Sequence, residues 1–334
     1  MSESSLRKLQ PGETIDDRWQ VVKMVGEGGF GAVYEVKDME AANPAFNFAL
    51  KVEDAQAPPR ERVMRMEVVI LRRLRMKRIK EGRSSKHRHF CELEAVGQTS
   101  LFRYIVMTLV GKSVSQLRRR CGGKLTGRSV AHVAIGSLAA IQELHDVGFL
   151  HRDIKPSNLA IGVPPQYDEV YLIDFGLCRS YRHENGRLRR PRDVAGFRGT
   201  LTYAPLACHR AEDMCRRDDL WSWLYMLIEL ATGKLAWHST MREIMTEPFK
   251  VQVEKIGAIK KELSTNPVEM MTGCAVEFLD LHAHINSLGF YDPPNYPVMA
   301  EKLKKMEERR RRPDKDGDKL DWEPGGKYHA KINF

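Results

Sequence analysis

The sequence predicts an α+β protein with a small β-rich amino-terminal lobe and a larger α-helical carboxyl-terminal lobe. Three observations support this fold class. Strand-like apolar patterns recur over 19–110, interrupted by a glycine-rich turn. After Gly111 the apolar residues fall at helical spacing, most clearly over 129–147. The length of 334 residues is sufficient for one large bilobal domain or for two ordinary domains.

The boundary between the lobes is expected near Val110-Gly111, where strand patterns give way to helical spacing. The helix over 129–147 should end at Gly148, a common stop signal, and a charged helix begins near Glu301. The predicted division is a lead over 1–15, an amino-terminal lobe over 16–110, a carboxyl-terminal lobe over 111–312 and an extension over 313–334.

The composition is that of a globular protein with an excess of positive charge. Hydrophobic residues make up 42% and charged residues 29%, and 54 basic against 44 acidic residues give a formal net charge of +10. This excess favours acidic partners, namely acidic or phosphorylated proteins, nucleic acid or an anionic membrane surface. The arginine run 309–312 has no aromatic stacking motif beside it, so nucleic acid is the weaker interpretation.

The cysteine pattern and the amino terminus indicate the compartment. Six cysteines are scattered without CxxC spacing, which predicts reduced thiols and neither a disulfide framework nor a zinc site. The first ten residues have no apolar core, and no apolar run approaches the roughly 20 residues that span a bilayer. We therefore expect a cytoplasmic protein with access to the nucleus and without membrane attachment.

A glycine-rich turn lies between two predicted strands near the amino terminus. The segment 26–31 has G-x-G-x-x-G spacing, which dinucleotide-binding loops share. Such a loop should open a helix, whereas residues 33–36 continue as a β-branched and aromatic strand. The pattern therefore favours a hairpin whose backbone amides cover phosphate groups, with Gly28 and Gly31 allowing close approach.

A lysine on the next predicted strand is the candidate partner of nucleotide phosphates. Lys51 lies in the apolar strand 47–52, about twenty residues after the glycines. The alternative is an edge-strand lysine in solvent. A phosphate-binding lysine needs a carboxylate to orient it, and Glu67 lies near the middle of a helix predicted over 62–74. Three other acidic residues are less suitable partners for Lys51. Glu53 and Asp54 precede the Pro58-Pro59 pair, and Glu61 lies in the first helical turn.

Two short segments carry side chains suited to phosphoryl transfer. Asp153 can accept a hydroxyl proton, and Lys155, two residues on, can contact a phosphate. Asn158 and Asp174 supply the hard oxygen ligands that magnesium prefers. Any one of these acids alone is more often a surface charge, but the whole set, in this order and spacing, matches the protein-kinase signature.

Six segments carry a closer resemblance. They are FLHRDIKPSN (149–158), DFGL (174–177), GFRGT (196–200), RDDLWS (217–222), MEV (66–68) and DWE (321–323). Together they resemble the casein kinase I group of protein kinases, and within it the tau-tubulin kinase branch, over roughly 16–323. The resemblance implies a bilobal protein-kinase fold and a serine/threonine kinase that uses ATP and Mg²⁺.

The expected nucleotide-binding residues lie in the amino-terminal lobe. A strand over 104–110 should lead into the hinge that binds adenine through backbone groups, although a plain core strand would have the same pattern. The predicted set is Val25, Gly26, Glu27, Gly28, Gly29, Phe30, Gly31, Val33, Ala49, Lys51, Met107 and Leu109.

The chain departs from the kinase pattern at the end of the activation segment. Leu206 follows Ala204-Pro205 where most protein kinases have a glutamate, so the buried ion pair of that glutamate should be missing. The casein kinase I group also lacks this glutamate. Its Ser-Ile-Asn is replaced here by Pro205-Leu206-Ala207, which should alter the fit of substrates. The basic stretch 77–88 has no assigned role and is interpreted as a solvated loop or the polar end of a helix.

Between Tyr181 and Thr200 the activation segment contains no serine, threonine or tyrosine, so phosphorylation at the usual mid-loop position cannot be its switch. Guanidinium groups bind phosphate in bidentate fashion, and this segment is rich in arginine. The predicted substrate anion site consists of Arg189, Arg190 and Arg192. The resemblance gives Arg192 a family anion-site position and implies acidic or phosphorylated protein substrates. The alternative is a solvated loop whose arginines pair with Glu184 and Asp193.

Two functions compete at this point: an active kinase, and a pseudokinase scaffold that binds nucleotide or partners without phosphotransfer. A pseudokinase normally lacks the lysine, the catalytic aspartate or the metal-binding aspartate. Because Lys51, Asp153 and Asp174 are all present, the sequence favours an active kinase. We expect it to be monomeric and to need no activation-loop phosphorylation.

Overall fold

The computed structural model describes residues 7–28, 31–41, 47–58, 62–82, 89–310 and 319–332, which form two compact units. Unit 1 comprises Met1–Gly111 with Ile173–Gly176, and unit 2 comprises Lys112–Leu172 with Leu177–Phe334. Unit 1 is built on a β-sheet and unit 2 mainly from helices. The α+β class predicted from the sequence is therefore confirmed.

Unit 1 is organised around a six-stranded antiparallel sheet with the order β1-β2-β3-β4-β6-β5. The strands are β1 (Thr14–Ile15), β2 (Trp19–Gly28), β3 (Gly31–Asp38), β4 (Asn47–Asp54), β5 (Leu93–Gln98) and β6 (Phe102–Thr108). The helix α1 (Met64–Lys80) connects β4 to β5 along the chain.

The two faces of the sheet have different roles because side chains alternate along a strand. One face carries a core of aromatic and β-branched residues that includes Tyr34, Val36, Leu50, Val52 and Tyr104. The intervening positions of β3, β4 and β6 belong to the opposite face. That face therefore carries most of the nucleotide-binding residues expected on these strands.

Helix α1 extends further than its apolar spacing predicts. Its buried residues are Met64, Glu67, Ile70, Leu71 and Leu74, and the helix then continues through basic residues to Lys80. Cations in a last helical turn interact favourably with the helix dipole, which stabilises this extension. The first part of the basic stretch 77–88 is therefore the polar end of a helix, and 83–88 lie outside the described residues.

Unit 2 contains nine α-helices among its described residues, with two short strand pairs. The helices are α2 (Val114–Arg120), α3 (Gly127–Asp146), α4 (Leu206–His209), α5 (Arg216–Thr232), α6 (His238–Glu243), α7 (Phe249–Thr265), α8 (Pro267–Met270), α9 (Glu277–Ser287) and α10 (Tyr296–Arg310). The strand pairs are β7 (Phe149–Leu150) with β10 (Arg179–Ser180), and β8 (Leu159–Ile161) with β9 (Val170–Leu172).

Helices α3 and α5 form the centre of unit 2. The α5 side chains Trp223, Leu224 and Leu227 are fully buried, as the aromatic and aliphatic composition of this helix predicts. Helix α3 begins at the N-cap Thr126, whose side chain accepts a hydrogen bond from the Ser129 amide. The chain leaves α3 through Gly148 at φ +89°, where the left-handed backbone explains the glycine.

The segment 319–332 packs on unit 2. Trp322 is fully buried and its Nε1 donates to the carbonyl of Tyr167 at 2.8 Å. Asp321 Oδ2 accepts a hydrogen bond from the Thr126 amide at 2.8 Å, at the start of α3. Within the described part of the chain, no helix combines the length and the apolar character that crossing a membrane requires.

Candidate active site

A strand, a helix and the segment Ile173–Gly176 of unit 1 bring one lysine and two carboxylates together. Lys51 Nζ lies 2.6 Å from Glu67 Oε2 and 3.7 Å from Asp174 Oδ1. Its strand, β4, is paired on both sides, so the alternative of an edge-strand lysine is wrong. Burial acts to lower the pKa of Lys51, but the two carboxylates outweigh it and raise this pKa above its ordinary value. Lys51 is therefore a cation held in place by Glu67.

The glycine turn joins β2 and β3, where Gly28 lies directly opposite Gly31. Gly31 has φ +151°, and a Cβ there would lie 1.9 Å from the carbonyl oxygen of Val52. Among the described residues other than the chain neighbours, no atom lies within 4 Å of a Cβ added at Gly26 or Gly28. Gly31 is thus required by the neighbouring strand β4, whereas Gly26 and Gly28 leave space beside the backbone.

The strand register places further members of the predicted nucleotide set next to one another. Val33 is the cross-strand partner of both Gly26 and Lys51, and Ala49 is the partner of Met107. The remaining members lie on β2, between β2 and β3, or just after β6: Val25, Glu27, Gly29, Phe30 and Leu109. Of these, Gly29 and Phe30 lie outside the described residues.

In unit 2 the predicted catalytic side chains form one connected hydrogen-bond network. Lys155 Nζ lies 2.6 Å from Asp153 Oδ2 and donates to Thr200 Oγ1 at 2.9 Å. The Thr200 hydroxyl donates to Asp153 Oδ1 at 2.8 Å. Asn158 Nδ2 donates to the backbone carbonyl of Asp153 at 2.9 Å and to its Oδ2 at 3.2 Å. A hydroxyl of the activation segment therefore bridges the aspartate and the lysine.

The backbone of the catalytic loop is fixed by a buried aspartate on α5. Asp219 Oδ2 accepts a hydrogen bond from the His151 amide at 2.7 Å, and Oδ1 accepts one from the Arg152 amide at 2.8 Å. Arg152 has φ +67°, a strained conformation that these bonds hold in place. Burial acts to raise the pKa of Asp219, but the bond to His145 and the neighbouring charges lower it below its ordinary value.

Two of these residues were not selected from the sequence as functional. Asp219 was recognised only as part of a helix start, although it lies in the RDDLWS segment. Thr200 is the last residue of the GFRGT segment, but no local sequence pattern predicts its hydrogen bond to Asp153, 47 residues earlier. The contact exists only because the activation segment returns to the catalytic loop.

The two predicted metal ligands each offer an oxygen atom of the kind that magnesium prefers. The Asn158 amide nitrogen is engaged with Asp153, which leaves its oxygen as the metal-binding atom. The Asp174 carboxylate is 51% exposed. Among the described residues, no group of three or more His, Cys, Asp or Glu side chains could hold a metal alone. Magnesium, which usually retains water and shares phosphate oxygens, suits such a sparse set of hard ligands.

Of the three arginines of the predicted anion site, Arg192 is paired with a carboxylate. Arg192 donates to Asp213 from Nη2 at 2.7 Å and from Nε at 3.2 Å. Arg179 lies 3.9 Å from the same carboxylate. The partner of Arg192 is thus Asp213, on a different part of the chain from Glu184 and Asp193. Arg189 and Arg190 are exposed and line the same small cavity as Asp213.

Comparison with known proteins gives consistent matches. The model of the protein kinase domain family matches residues 19–288. A probable serine/threonine-protein kinase of Dictyostelium discoideum is 34% identical over 287 residues, covering 85% of this chain and 52% of that protein.

Two nematode proteins are matched over more of their length. A putative serine/threonine-protein kinase of Caenorhabditis elegans is 33% identical over 303 residues, covering 89% of this chain and 79% of that protein. A putative casein kinase I of the same organism is 29% identical over 340 residues, covering 100% and 92%. The chain spans about half the length of the Dictyostelium relative and most of the two nematode relatives.

Proposed function

The chain belongs to the protein kinase domain family, and we propose that it is a serine/threonine kinase of the casein kinase I type. It transfers the γ-phosphate of ATP to hydroxyl groups of acidic or already phosphorylated proteins. The observation that carries this proposal is the Asp153–Thr200–Lys155 network, with distances of 2.6–2.9 Å. Relatives that include casein kinase I homologues support the type, and the DWE motif supports the tau-tubulin kinase branch.

In this proposal the residues of unit 2 handle the acceptor hydroxyl. Asp153 accepts the hydroxyl proton and orients the attacking oxygen. Lys155 screens negative charge on the transferred phosphoryl group, since its Nζ lies within hydrogen-bond reach of Asp153 and Thr200. Thr200 fixes the carboxylate rotamer of Asp153, because its hydroxyl donates to Oδ1 while Oδ2 contacts Lys155 Nζ.

The residues of unit 1 hold the nucleotide. Lys51 pairs with the α- and β-phosphates and is oriented for this by Glu67. The open edge at Gly26 and Gly28 allows the backbone to approach phosphate groups. Asp174 of unit 1 and Asn158 of unit 2 each offer an oxygen ligand that suits magnesium, which when bound would neutralise charge on the phosphate oxygens.

The preference for anionic substrates is supported by the excess of arginine around Asp213. Arg179 and Arg192 share this one carboxylate, and Arg189 and Arg190 line the same small cavity as Asp213. Burial lowers the pKa of Arg179 below its ordinary value; the charge of Asp213 acts to raise this pKa, and repulsion from Arg192 and Arg189 adds to the lowering. A phosphoserine or an acidic side chain of the substrate would relieve this repulsion through bidentate bonds.

The preference is tested with two peptides that differ only in an upstream serine or phosphoserine. The wild-type enzyme should phosphorylate the phosphopeptide with kcat/KM about tenfold higher. The double variant Arg189→Ala/Arg190→Ala should lose the difference, whereas Arg187→Ala, an exposed arginine of the same loop, should retain it. Equal rates for the two peptides with the wild-type enzyme would refute anion recognition and leave kinase activity itself unaffected.

The cellular setting is part of the same proposal. The six cysteines are all free thiols and five of them are buried, which supports a reducing compartment such as the cytosol, with access to the nucleus. We propose that the enzyme acts as a monomer.

A further inference from the structure

A buried lysine on α7 has no part in the chemistry described above. Lys260 is fully buried, and among the described residues no carboxylate pairs with it. Such a group is costly unless all of its hydrogens find acceptors. Lys260 lies in the helical sequence Ile-Lys-Lys-Glu-Leu, and nothing in that sequence distinguishes it from its exposed neighbour Lys261.

Three acceptors match the three hydrogens of the Lys260 ammonium group. Lys260 Nζ donates to the carbonyl of Leu201 at 2.9 Å and to the carbonyl of Ala204 at 2.7 Å. The third acceptor is His209 Nε2 at 3.3 Å. His209 Nδ1 lies 2.8 Å from the Val253 carbonyl, which requires the proton on Nδ1 and leaves Nε2 as an acceptor. The ammonium group is therefore fully satisfied.

Two aromatic rings enclose the same group. Lys260 Nζ lies 5.2 Å from the ring centroid of Tyr225 and 4.9 Å from that of Trp237. Burial lowers the pKa of Lys260 well below its ordinary value, whereas the ring faces and the three acceptors favour the charged form. Trp237 also donates from Nε1 to the Thr202 carbonyl at 2.9 Å.

The carbonyls held in this way belong to the segment that carries Thr200. The amides of Tyr203 and Ala204 both donate to the Thr200 carbonyl at 2.9 Å, so residues 200–204 form one compact turn. One end of this turn contacts Asp153 through the Thr200 hydroxyl. The other end is held by Lys260. Leu206, which follows, occupies the position where most protein kinases have an anchoring glutamate.

We propose that Lys260, with His209 as its hydrogen-bond partner, is a positioning residue that replaces the missing glutamate as the anchor of the activation segment. It holds the carbonyls of Leu201 and Ala204 and thereby fixes the turn that presents Thr200 to Asp153. The two anchors differ in their chemistry. The Lys260 ammonium group donates hydrogen bonds to backbone carbonyls, whereas the glutamate of most protein kinases forms an ion pair with another side chain. This inference rests on the proposed kinase function for its consequence, but not for its geometry.

The chain offers graded variants and a matched control. Lys260→Met keeps the length and removes the three hydrogen bonds. Gly257→Ala leaves Lys260 in place but puts a Cβ 2.9 Å from His209 Cβ and 3.1 Å from its Nδ1, which displaces the third acceptor. Lys261→Met changes the exposed neighbour on the same helix. We expect the defects to rank Lys260→Met above Gly257→Ala, with Lys261→Met equal to wild type.

The kinetic test separates positioning from general stability. In Lys260→Met, kcat/KM for a peptide substrate should fall about tenfold, while the KM for ATP and ATP hydrolysis without peptide stay within about twofold. Equal losses in all three quantities, together with a lowered melting temperature, would show a merely structural role and overturn the proposal. Unchanged peptide kinetics would also overturn it.

Hydrogen exchange gives a second reading that does not depend on activity. The amides of Tyr203 and Ala204 should exchange faster in Lys260→Met than in wild type, with protection in α3 and α5 unchanged. Equal exchange rates of these two amides in Lys260→Met and wild type would refute the proposal that Lys260 anchors the segment. If the wild-type enzyme transferred no phosphate, the proposed function would fail, and exchange at Tyr203 and Ala204 would still decide whether Lys260 anchors the segment.

Discussion

At the scale of single residues, one hydroxyl group connects the two side chains assigned to the acceptor. Thr200 donates to Asp153 at 2.8 Å and accepts from Lys155 at 2.9 Å. Both bonds involve charged partners, which makes them stronger than bonds between neutral groups. The geometry of Asp153 therefore depends on a residue 47 positions later in the chain, in addition to its own loop.

The first prediction concerns this hydroxyl. Thr200→Val keeps the shape of the side chain and removes both hydrogen bonds, so kcat should fall by about 10–100-fold with the melting temperature unchanged. Thr200→Ser restores the hydroxyl and should recover most of the rate. Steady-state kinetics of the three proteins checks this. A Thr200→Val variant with full activity would show that the Thr200 hydroxyl is not needed for phosphate transfer.

A second residue-scale prediction concerns pH. Burial acts to raise the pKa of Asp213, but the hydrogen bonds of Arg192 and the charge of Arg179 lower it below its ordinary value near 3.8. Because the folded pKa is lower than the unfolded one, the stabilisation is complete above the ordinary value and is lost as the pH falls through the lowered value. Urea unfolding of wild type and Asp213→Asn from pH 7 to pH 3 should show a steeper acid decline for wild type. Parallel curves would contradict this.

At the scale of elements, the strands and helices with regular patterns were predictable, and their ends were not. The helix over 62–74 was recognised from its apolar spacing, but α1 continues to Lys80. Arginine and lysine are good helix formers, so the basic residues prolong a helix that no longer buries an apolar face. The strand β5 was not predicted, because its apolar pattern is weak: half-buried residues alternate with exposed ones.

The glycine hairpin provides a prediction at this scale, with its own control. Gly31→Ala would place a Cβ 1.9 Å from the Val52 carbonyl oxygen at φ +151°, so it should separate β3 from β4 and lower the melting temperature. A Cβ at Gly28 meets no atom within 4 Å among the described residues beyond its chain neighbours, so Gly28→Ala should leave the melting temperature unchanged while raising the KM for ATP. Thermal unfolding and ATP titration distinguish the two variants. A stable Gly31→Ala protein would show that this close contact is wrong.

The candidate site was predictable to the extent that its residues share a local motif. Lys51 and Glu67 were paired from strand and helix patterns, and they lie 2.6 Å apart. Lys260 could not be found in this way, because its acceptors Leu201 and Ala204 are more than 50 residues away. Long-range contacts of this kind arise from the packing of α7 against the activation segment, which no local pattern encodes.

At the scale of the whole molecule, the chain after α10 contributes to the stability of unit 2. Asp321 accepts a hydrogen bond from the backbone at the start of α3, and its own amide donates to Ser129 Oγ at 2.8 Å. Trp322 is fully buried beside them. Residues 319–332 thus belong to the folded part of unit 2, although the sequence only indicated an extension.

A prediction follows for this segment. Trp322→Ala should lower the free energy of unfolding by about 3–5 kcal/mol, since it removes a large buried side chain and the hydrogen bond to Tyr167. Lys327→Ala, at an exposed position of the same segment, should change it by less than about 0.5 kcal/mol. Chemical denaturation of both variants measures the difference. Equal stabilities would mean that the segment is dispensable.

The most direct test of the central claim is transfer of labelled phosphate from ATP with magnesium to an acidic serine peptide. Wild-type protein is compared with Asp153→Asn, which keeps the size of the side chain and removes the proton acceptor. We predict that incorporation by wild type exceeds that of the variant by about 100-fold or more, with both proteins equally folded. Wild-type incorporation no higher than that of Asp153→Asn would contradict the account and identify the chain as a pseudokinase scaffold.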